Sequence, residues 1–344
     1  MPNPRTPPPQ LCAVTGAGGF IGTRLLDLWD RTPGSSYRAL VRRPESLAST
    51  QRLRRDVALA DLLKPATLAP ALAGCDAVVH LSHGERGPEA TQNLLSAMSD
   101  AGIRRLVHIS TMSVHGPDPD ASSEREETAL IGRYGNDYCD SKAEQEELVW
   151  AAHRAGRLDL VVLRPTVVYG PGSAFVELVA EEARAGNVLL VDQGVGRCNA
   201  VFVDDVCHAI DCALSNNDRG QAYFVNGDGS ISWREFIEAF ARLDGRSPRF
   251  TNIDAAAASS YWQELQATPR PGALTRLWRK VTSRLGASTP RHPFPPLGRI
   301  QRETIRVTFS NAKARSELGW APTITFAEGV GQTAAVMRSY TQSR

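Results

Sequence analysis

The chain has 344 residues, with 39 basic and 37 acidic side chains and a formal net charge of +2. With that balance nothing global points to nucleic acid or a strongly acidic partner, and partners must be argued locally. No apolar run approaches the roughly 18 residues of a membrane span and the first residues carry no apolar signal core, which predicts a soluble, cytoplasmic protein.

The length admits one large core or two to three ordinary domains. Six cysteines are scattered without a C-x-x-C pair, several within apolar runs, and read as buried thiols. His80 and His83 lie three apart, but no third ligand follows at metal spacing, so no metal site is expected.

Residues 1–10 hold five prolines and read as a disordered or extended tail. Residues 11–14 then form a short apolar run, followed by Thr15-Gly16-Ala17-Gly18-Gly19-Phe20-Ile21-Gly22. Beyond it Leu25, Leu28 and Trp29 recur near helical spacing. The pattern is strand, glycine turn, helix. Gly16 permits a tight turn, Gly19 lets the backbone approach a pyrophosphate, and Gly22 lets the helix pack closely on its strand. The spacing is G-x-x-G-x-x-G, a variant of the commoner dinucleotide fingerprint.

Tyr37-Arg38-Ala39-Leu40-Val41 reads as the second strand and ends in Arg42-Arg43. An acidic residue at this place would accept the ribose 2′-hydroxyl of NAD, whereas arginine suits a 2′-phosphate. The two arginines therefore predict that NADP is preferred, with NAD as the alternative. Residues 57–59 supply a third strand. After it, Asp61 and Leu62 are placed to hold an adenine ring, the acid on its amino group and the leucine against its face. A fourth strand runs through Val78, Val79 and His80 into a loop beginning at Leu81, a further cofactor contact. A fifth ends in Ser110-Thr111. Strands alternating with helical patterns predict an α/β fold with a doubly wound parallel sheet of Rossmann type, its ligands at the carboxyl ends of the strands.

Tyr138 and Lys142 are four apart in a helical segment and share one face. A phenol near pKa 10 is a poor base at neutral pH, and a neighbouring ammonium favours its phenolate. Thr111 would hydrogen-bond the substrate oxygen, Tyr138 would exchange its proton, and Lys142 would tune the tyrosine and hold the nicotinamide ribose. The reaction is hydride transfer at a carbinol or carbonyl carbon.

With these residues in place, the chain resembles the extended short-chain dehydrogenase/reductase family, the NAD-dependent epimerase/dehydratase group. TGAGGFIG matches its cofactor turn, Tyr138-x-x-x-Lys142 its catalytic pair, and Thr111 its catalytic serine/threonine. Leu163-Arg164-Pro165 through Gly172 is similar to its R-P-x-x-V-Y-G-P-G segment, which implies that Pro165 flanks the nicotinamide. Val201 to Val206 resembles its V-x-V-D-D-V junction, where Asp205 is expected to cap a helix. Residues 314–322 resemble its L-G-W-x-P signature. The family's sugar dehydratases carry an Asp-Glu pair after the catalytic threonine. Met112 and Ser113 stand there instead, which argues against dehydration. His115 replaces a tyrosine and would either line the pocket or fill space.

These matches divide the chain into a tail (1–10), a dinucleotide-binding domain (11–170, with core strands returning near 198–226) and a stretch that is mainly substrate-binding lobe (171–344). Arg197 and Asn199 are placed in the substrate pocket. Between 272 and 286 Leu274, Leu277, Trp278, Val281 and Leu285 share a face opposite Arg276, Arg279, Lys280 and Arg284. This is a basic amphipathic helix, read as a lid, with a phosphate cap or contact with an anionic membrane as the alternatives. The expected enzyme is an NAD(P)-dependent epimerase or ketoreductase acting on a small-molecule substrate, a nucleotide-sugar alcohol or ketone. The alternatives are a bulky apolar ketone of polyketide, steroid or flavonoid type, or a non-catalytic dinucleotide sensor. The resemblance also implies a homodimer.

Overall fold

The computed structural model describes residues 7–43, 56–126, 131–216, 219–243, 245, 247–267 and 292–342. The expected lid helix at 272–286 and residues 1–6 of the expected tail lie outside them. Residues 7–10 are tied down. Arg105 donates to the Pro7 carbonyl at 3.1 Å, and the Gln10 and Leu11 amides donate to the Asp76 carboxylate at 2.9 and 3.0 Å.

The chain forms two compact units. The first gathers residues 1–178, 199–231 and 307–344, and the second holds 179–198 and 232–306. The two-part division of the sequence therefore needs one amendment: the last stretch, from 307, returns to the dinucleotide-type unit. Physically, Ala314, Leu318 and Trp320 are buried in that unit's core.

In the first unit β1 (Cys12–Thr15), β2 (Tyr37–Val41), β3 (Asp56–Leu59), β4 (Ala77–His80), β5 (Arg105–Ile109), β6 (Asp159–Pro165) and β10 (Gln221–Val225) make one sheet of order β10-β6-β5-β4-β1-β2-β3. Every neighbouring pair is parallel. The short strands β7 (Val167–Tyr169) and β9 (Ala200–Phe202) pair with each other. Strand order reverses between β1 and β4, the switch point where such sheets open a crevice at their carboxyl ends.

Side chains alternate along each strand and feed two cores. Val14, Val41, Val79, Val107 and Leu163 meet α1 (Phe20–Trp29) and the helix Val203–Ser215 on one face. Ala13, Leu40, Val78, Leu106 and Val162 meet α2 (Leu68–Leu72), α3 (Gly87–Asp100) and α4 (Asp137–Arg154) on the other. Five of the six cysteines are buried and Cys212 is half-buried; all are free thiols.

Asp205 does not cap its helix. That N-cap is Phe202, without a side-chain bond. Asp205 instead accepts from the Thr323 amide and hydroxyl at 2.8 and 2.9 Å and from the Ile324 amide at 3.2 Å. In the second unit β8 (Asn187–Val191) pairs in parallel with β11 (Arg249–Ile253), and Arg299 lies buried between Glu182 and Glu303.

The glycine turn is fixed by contact. Gly16 sits at φ +68°, and a Cβ on it would lie 2.9 Å from the backbone of Leu81 and Ser82. A Cβ on Gly22 would lie 2.3 Å from the Gly16 carbonyl oxygen. Because that obstacle is backbone, Gly22→Ala must push α1 off its strand. We expect it to cost about 1–3 kcal/mol, the usual range for overpacking, read as a lower midpoint in denaturant unfolding. An unchanged midpoint would show that the helix has room to shift.

Candidate active site

At the switch point the turn between β1 and α1 presents main chain. Gly19 donates to the Gly16 carbonyl at 2.9 Å and is the N-cap of α1, with no capping side chain and no acidic residue in the first turn. A helix start left this way suits an anion. A Cβ on Gly19 would meet the Gly16 oxygen at 3.1 Å and otherwise open space. The residues present therefore fit a dinucleotide pyrophosphate. Phe20 and Ile21 open the helix half-buried, and Leu81 packs on the core directly under the turn.

Arg42 and Arg43 leave β2 exposed, within reach of solvent at the carboxyl edge of the sheet. Asp61 is half-buried, and its carboxylate accepts from the Leu63 amide at 3.0 Å. Leu62 departs from expectation. Its side chain is only 6% exposed and packs in the core, so it supports the loop from below and does not offer a face to an adenine ring. Pro165 ends β6, buried, at the same carboxyl edge.

The three expected catalytic residues converge. Thr111 follows β5, and its hydroxyl accepts from the Ser113 amide at 3.2 Å, opening a short turn, Met112–His115. Tyr138 lies in the first turn of α4, which Asn136 caps by accepting from the Tyr138 and Cys139 amides, each at 3.1 Å. Tyr138 is 47% exposed as a residue. Burial of its hydroxyl end pushes its pKa up, and the hydrogen bond with Thr111 pulls it down. Lys142, one turn on, is 4% exposed and donates to the Ile109 carbonyl at 3.0 Å.

The expected lowering of the tyrosine by Lys142 does not show here: the phenol stands above its ordinary value, raised by burial and lowered only by its hydrogen bond with Thr111. The physical reason is desolvation. It also depresses the ammonium itself, to about 8, while Glu146 works in the opposite direction.

Beneath these residues runs a buried polar layer that sequence reading did not identify. Thr15 Oγ1 and Thr91 Oγ1 bond the two ring nitrogens of His80 at 2.7 and 3.0 Å. Both of its nitrogens are engaged, so His80 is not free to bind a metal. His108 stacks beside it with ring centroids 5.3 Å apart. His83, exposed in the loop after β4, meets Tyr138 edge-on at 6.1 Å. The spacing of His80 and His83 was visible in the sequence, but only as a rejected metal pattern. His115 settles as a space-filling residue, 3% exposed and against Phe224 and Phe309 at 5.3 and 6.3 Å. Asn199 is buried too, tying the Val307 carbonyl at 3.1 Å.

A model of the NAD dependent epimerase/dehydratase family matches residues 12–226. The chain is 29% identical over 331 residues to a 4-hydroxy-2-methyl-3-oxo-4-farnesyl-3,4-dihydroquinoline-1-oxide ketoreductase of Stigmatella aurantiaca, covering 92% of this chain and 93% of that one. It is 28% identical over 340 residues to a 2-alkyl-3-oxoalkanoate reductase of Stenotrophomonas maltophilia, covering 92% and 96%. Among solved structures, a dTDP-glucose 4,6-dehydratase from Streptomyces venezuelae, with NAD bound, superposes with a TM-score of 0.73 at 22% identity, covering 97% and 98%. That likeness is one of fold.

His80 and His108 are both held well below the ordinary 6.5, by burial first and then by neighbouring positive charge. The unfolded chain binds protons there that the folded chain refuses. Stability is therefore complete above about pH 6.5 and is lost as pH falls, by about 1.4 kcal/mol per pH unit for each histidine. Melting temperature against pH should fall on the acid side, and replacing His108 with Leu should flatten that fall. An unaltered slope in the variant would show that the ring is protonated without penalty.

Proposed function

We propose, since this chain belongs to the NAD dependent epimerase/dehydratase family, that it is an NADP(H)-dependent reductase of an apolar ketone, interconverting it with the secondary alcohol. The observation that carries the reading is the convergence of Thr111, Tyr138 and Lys142 at the carboxyl edge of the sheet, next to a glycine cradle that a Cβ would fill. When bound there, the cofactor supplies the hydride.

The protein's part is positional and protonic. The Thr111 hydroxyl hydrogen-bonds the substrate oxygen. Tyr138 gives its proton to that oxygen during reduction and takes one back during oxidation. The Lys142 ammonium stabilises the phenolate in between. A phenol raised by burial favours the donor form, which suits reduction at neutral pH.

Support for the cofactor comes from Arg42 and Arg43, exposed at the end of β2. A hydrogen bond to a charged group contributes about 1.5–3 kcal/mol, which corresponds to roughly tenfold to hundredfold preference. Support for the ketone comes from the two relatives above, both named for 3-oxo compounds and matched over more than nine-tenths of this chain. Met112 and Ser113 give no carboxylate after Thr111, which disfavours elimination of water.

A second reading is nucleotide-sugar epimerisation, which the matched family also includes. The two differ in stoichiometry. A reductase consumes one NADPH per ketone, while an epimerase keeps its cofactor and leaves absorbance at 340 nm unchanged. We expect NADPH loss with long-chain 3-oxo esters or cyclic ketones and none with UDP- or dTDP-hexoses. Sugar interconversion without net NADPH loss would replace the first reading by the second.

Two variants extend the test. Tyr138→Phe should lower kcat by about a hundredfold or more with NADPH affinity retained. Converting Arg42 and Arg43 to Glu should cut the NADPH-over-NADH preference by roughly tenfold to hundredfold; an unchanged ratio would place the 2′-phosphate elsewhere. The same reading includes a homodimer, expected as twice the chain mass in light scattering at micromolar concentration, with a monomer mass as the contrary result.

A further inference from the structure

Tyr138, Lys142, Glu146 and Trp150 follow one another at four-residue intervals along α4 and so form one stripe. The first two are the reacting pair. The third has no role in the reaction described above, yet its carboxylate is bound by three different side chains. Glu146 is fully buried and accepts from the Ser110 hydroxyl at 2.6 Å, from Arg164 Nη2 at 2.5 Å and Nε at 3.2 Å, and from the Trp150 indole at 3.1 Å. Its donors come from the end of β5, from β6 and from its own helix.

One of these links, that to Ser110, leads to two reacting groups. Ser110 precedes Thr111, and the residue before Ser110, Ile109, offers the carbonyl that holds Lys142 Nζ at 3.0 Å. We infer that Glu146 is a positioning residue of the reaction centre: its hydrogen bond to Ser110 fixes the strand end that carries Thr111 and the Ile109 carbonyl holding Lys142, and it stands one helical turn from Lys142 as a buried counter-charge. The inference rests on the catalytic roles proposed above for Lys142 and Thr111.

The surroundings of Lys142 leave this task to Glu146. From β4 His80 faces it, from the following loop His83, and from β5 His108; each is driven toward its neutral form by burial first and then by the lysine charge. From β6 comes Arg164, whose charge is spent on Glu146. Among the described residues, Glu146 is the anion acting on the lysine, against a burial that otherwise strips its proton. An amine 4% exposed and deprived of that partner would turn neutral near physiological pH.

The test reads the lysine itself. The protein is labelled with 13C at lysine Cε and titrated by NMR, with Lys142→Arg identifying the resonance. Wild type should titrate near pH 8. Glu146→Gln removes the attraction and frees the Arg164 charge, so the midpoint should fall by about one pH unit or more. Arg164→Gln leaves Glu146 uncompensated and should move it up.

Opposite displacements separate a counter-charge from a merely structural anchor, which would move both variants alike or neither. Either variant suffices if the other fails to fold. In steady-state assays Glu146→Gln should lose its basic limb at correspondingly lower pH, with kcat more affected than the KM for NADPH. Midpoints unchanged from wild type in the folded variants would overturn the inference. Absence of ketone reduction by wild type would overturn the functional reading alone, leaving the titration standing.

Discussion

One buried ion pair sets the conditions for everything at the carboxyl end of this sheet. Glu146 and Arg164 are 0% and 5% exposed at their side chains, and neither is tolerable there without the other. Removing one partner of such a pair typically costs about 3–5 kcal/mol, because the other is left charged and dry. The arrangement succeeds because donors converge on the carboxylate from two strands and a helix. The same convergence locks β5, β6 and α4 into a single register. Thr111, Tyr138 and Lys142 inherit their mutual positions from it.

Around that pair the protein spends burial in two ways. On the strand faces it buries alternating Val, Leu and Ala, whose removal from water stabilises the sheet. At the strand ends on the α4 side it buries Thr15, His80, Thr91, His108, Lys142 and Gln145. These polar groups contribute little net stability, and His108 contributes neither ring nitrogen to a hydrogen bond. What they provide is a dry, low-polarizability floor in which the charge on Lys142 is strongly felt by its neighbours. Reactivity and fold are thus drawn from adjacent layers of the same sheet.

How much of this can be read from the chain alone depends on the range of the physics. The glycine turn was legible because its demands are local: Gly16, Gly19 and Gly22 answer to atoms within a few residues or to one neighbouring strand. Tyr138 and Lys142 were legible because one helical turn brings them together. Asp205 was misread because its partners, Thr323 and Ile324, are more than a hundred positions away. Glu146 passed unnoticed for a related reason, since its guanidinium is 18 residues on and an acid in an amphipathic helix usually faces water. Leu62 was assigned to the cofactor by position, but its burial with Leu68 and Leu72 assigns it to packing. The alternation of strands and helices predicted the doubly wound sheet correctly, yet not that the chain comes back to it after residue 306.

That return has a consequence for how the protein is made. The indole of Trp320 donates to the Asp205 carbonyl at 2.9 Å, and its ring fills the core beneath the helix Val203–Ser215. On a ribosome that core stays open while residues 232–306 of the second unit are synthesised, because side chains that close it, Ala314, Leu318 and Trp320, are encoded after them. Apolar surface on Val206 and Ile210 must wait, exposed to chaperones, through about a hundred residues of elongation, which at 5–20 residues per second is roughly 5–20 seconds. The nascent chain, more than the finished enzyme, is where this architecture is vulnerable.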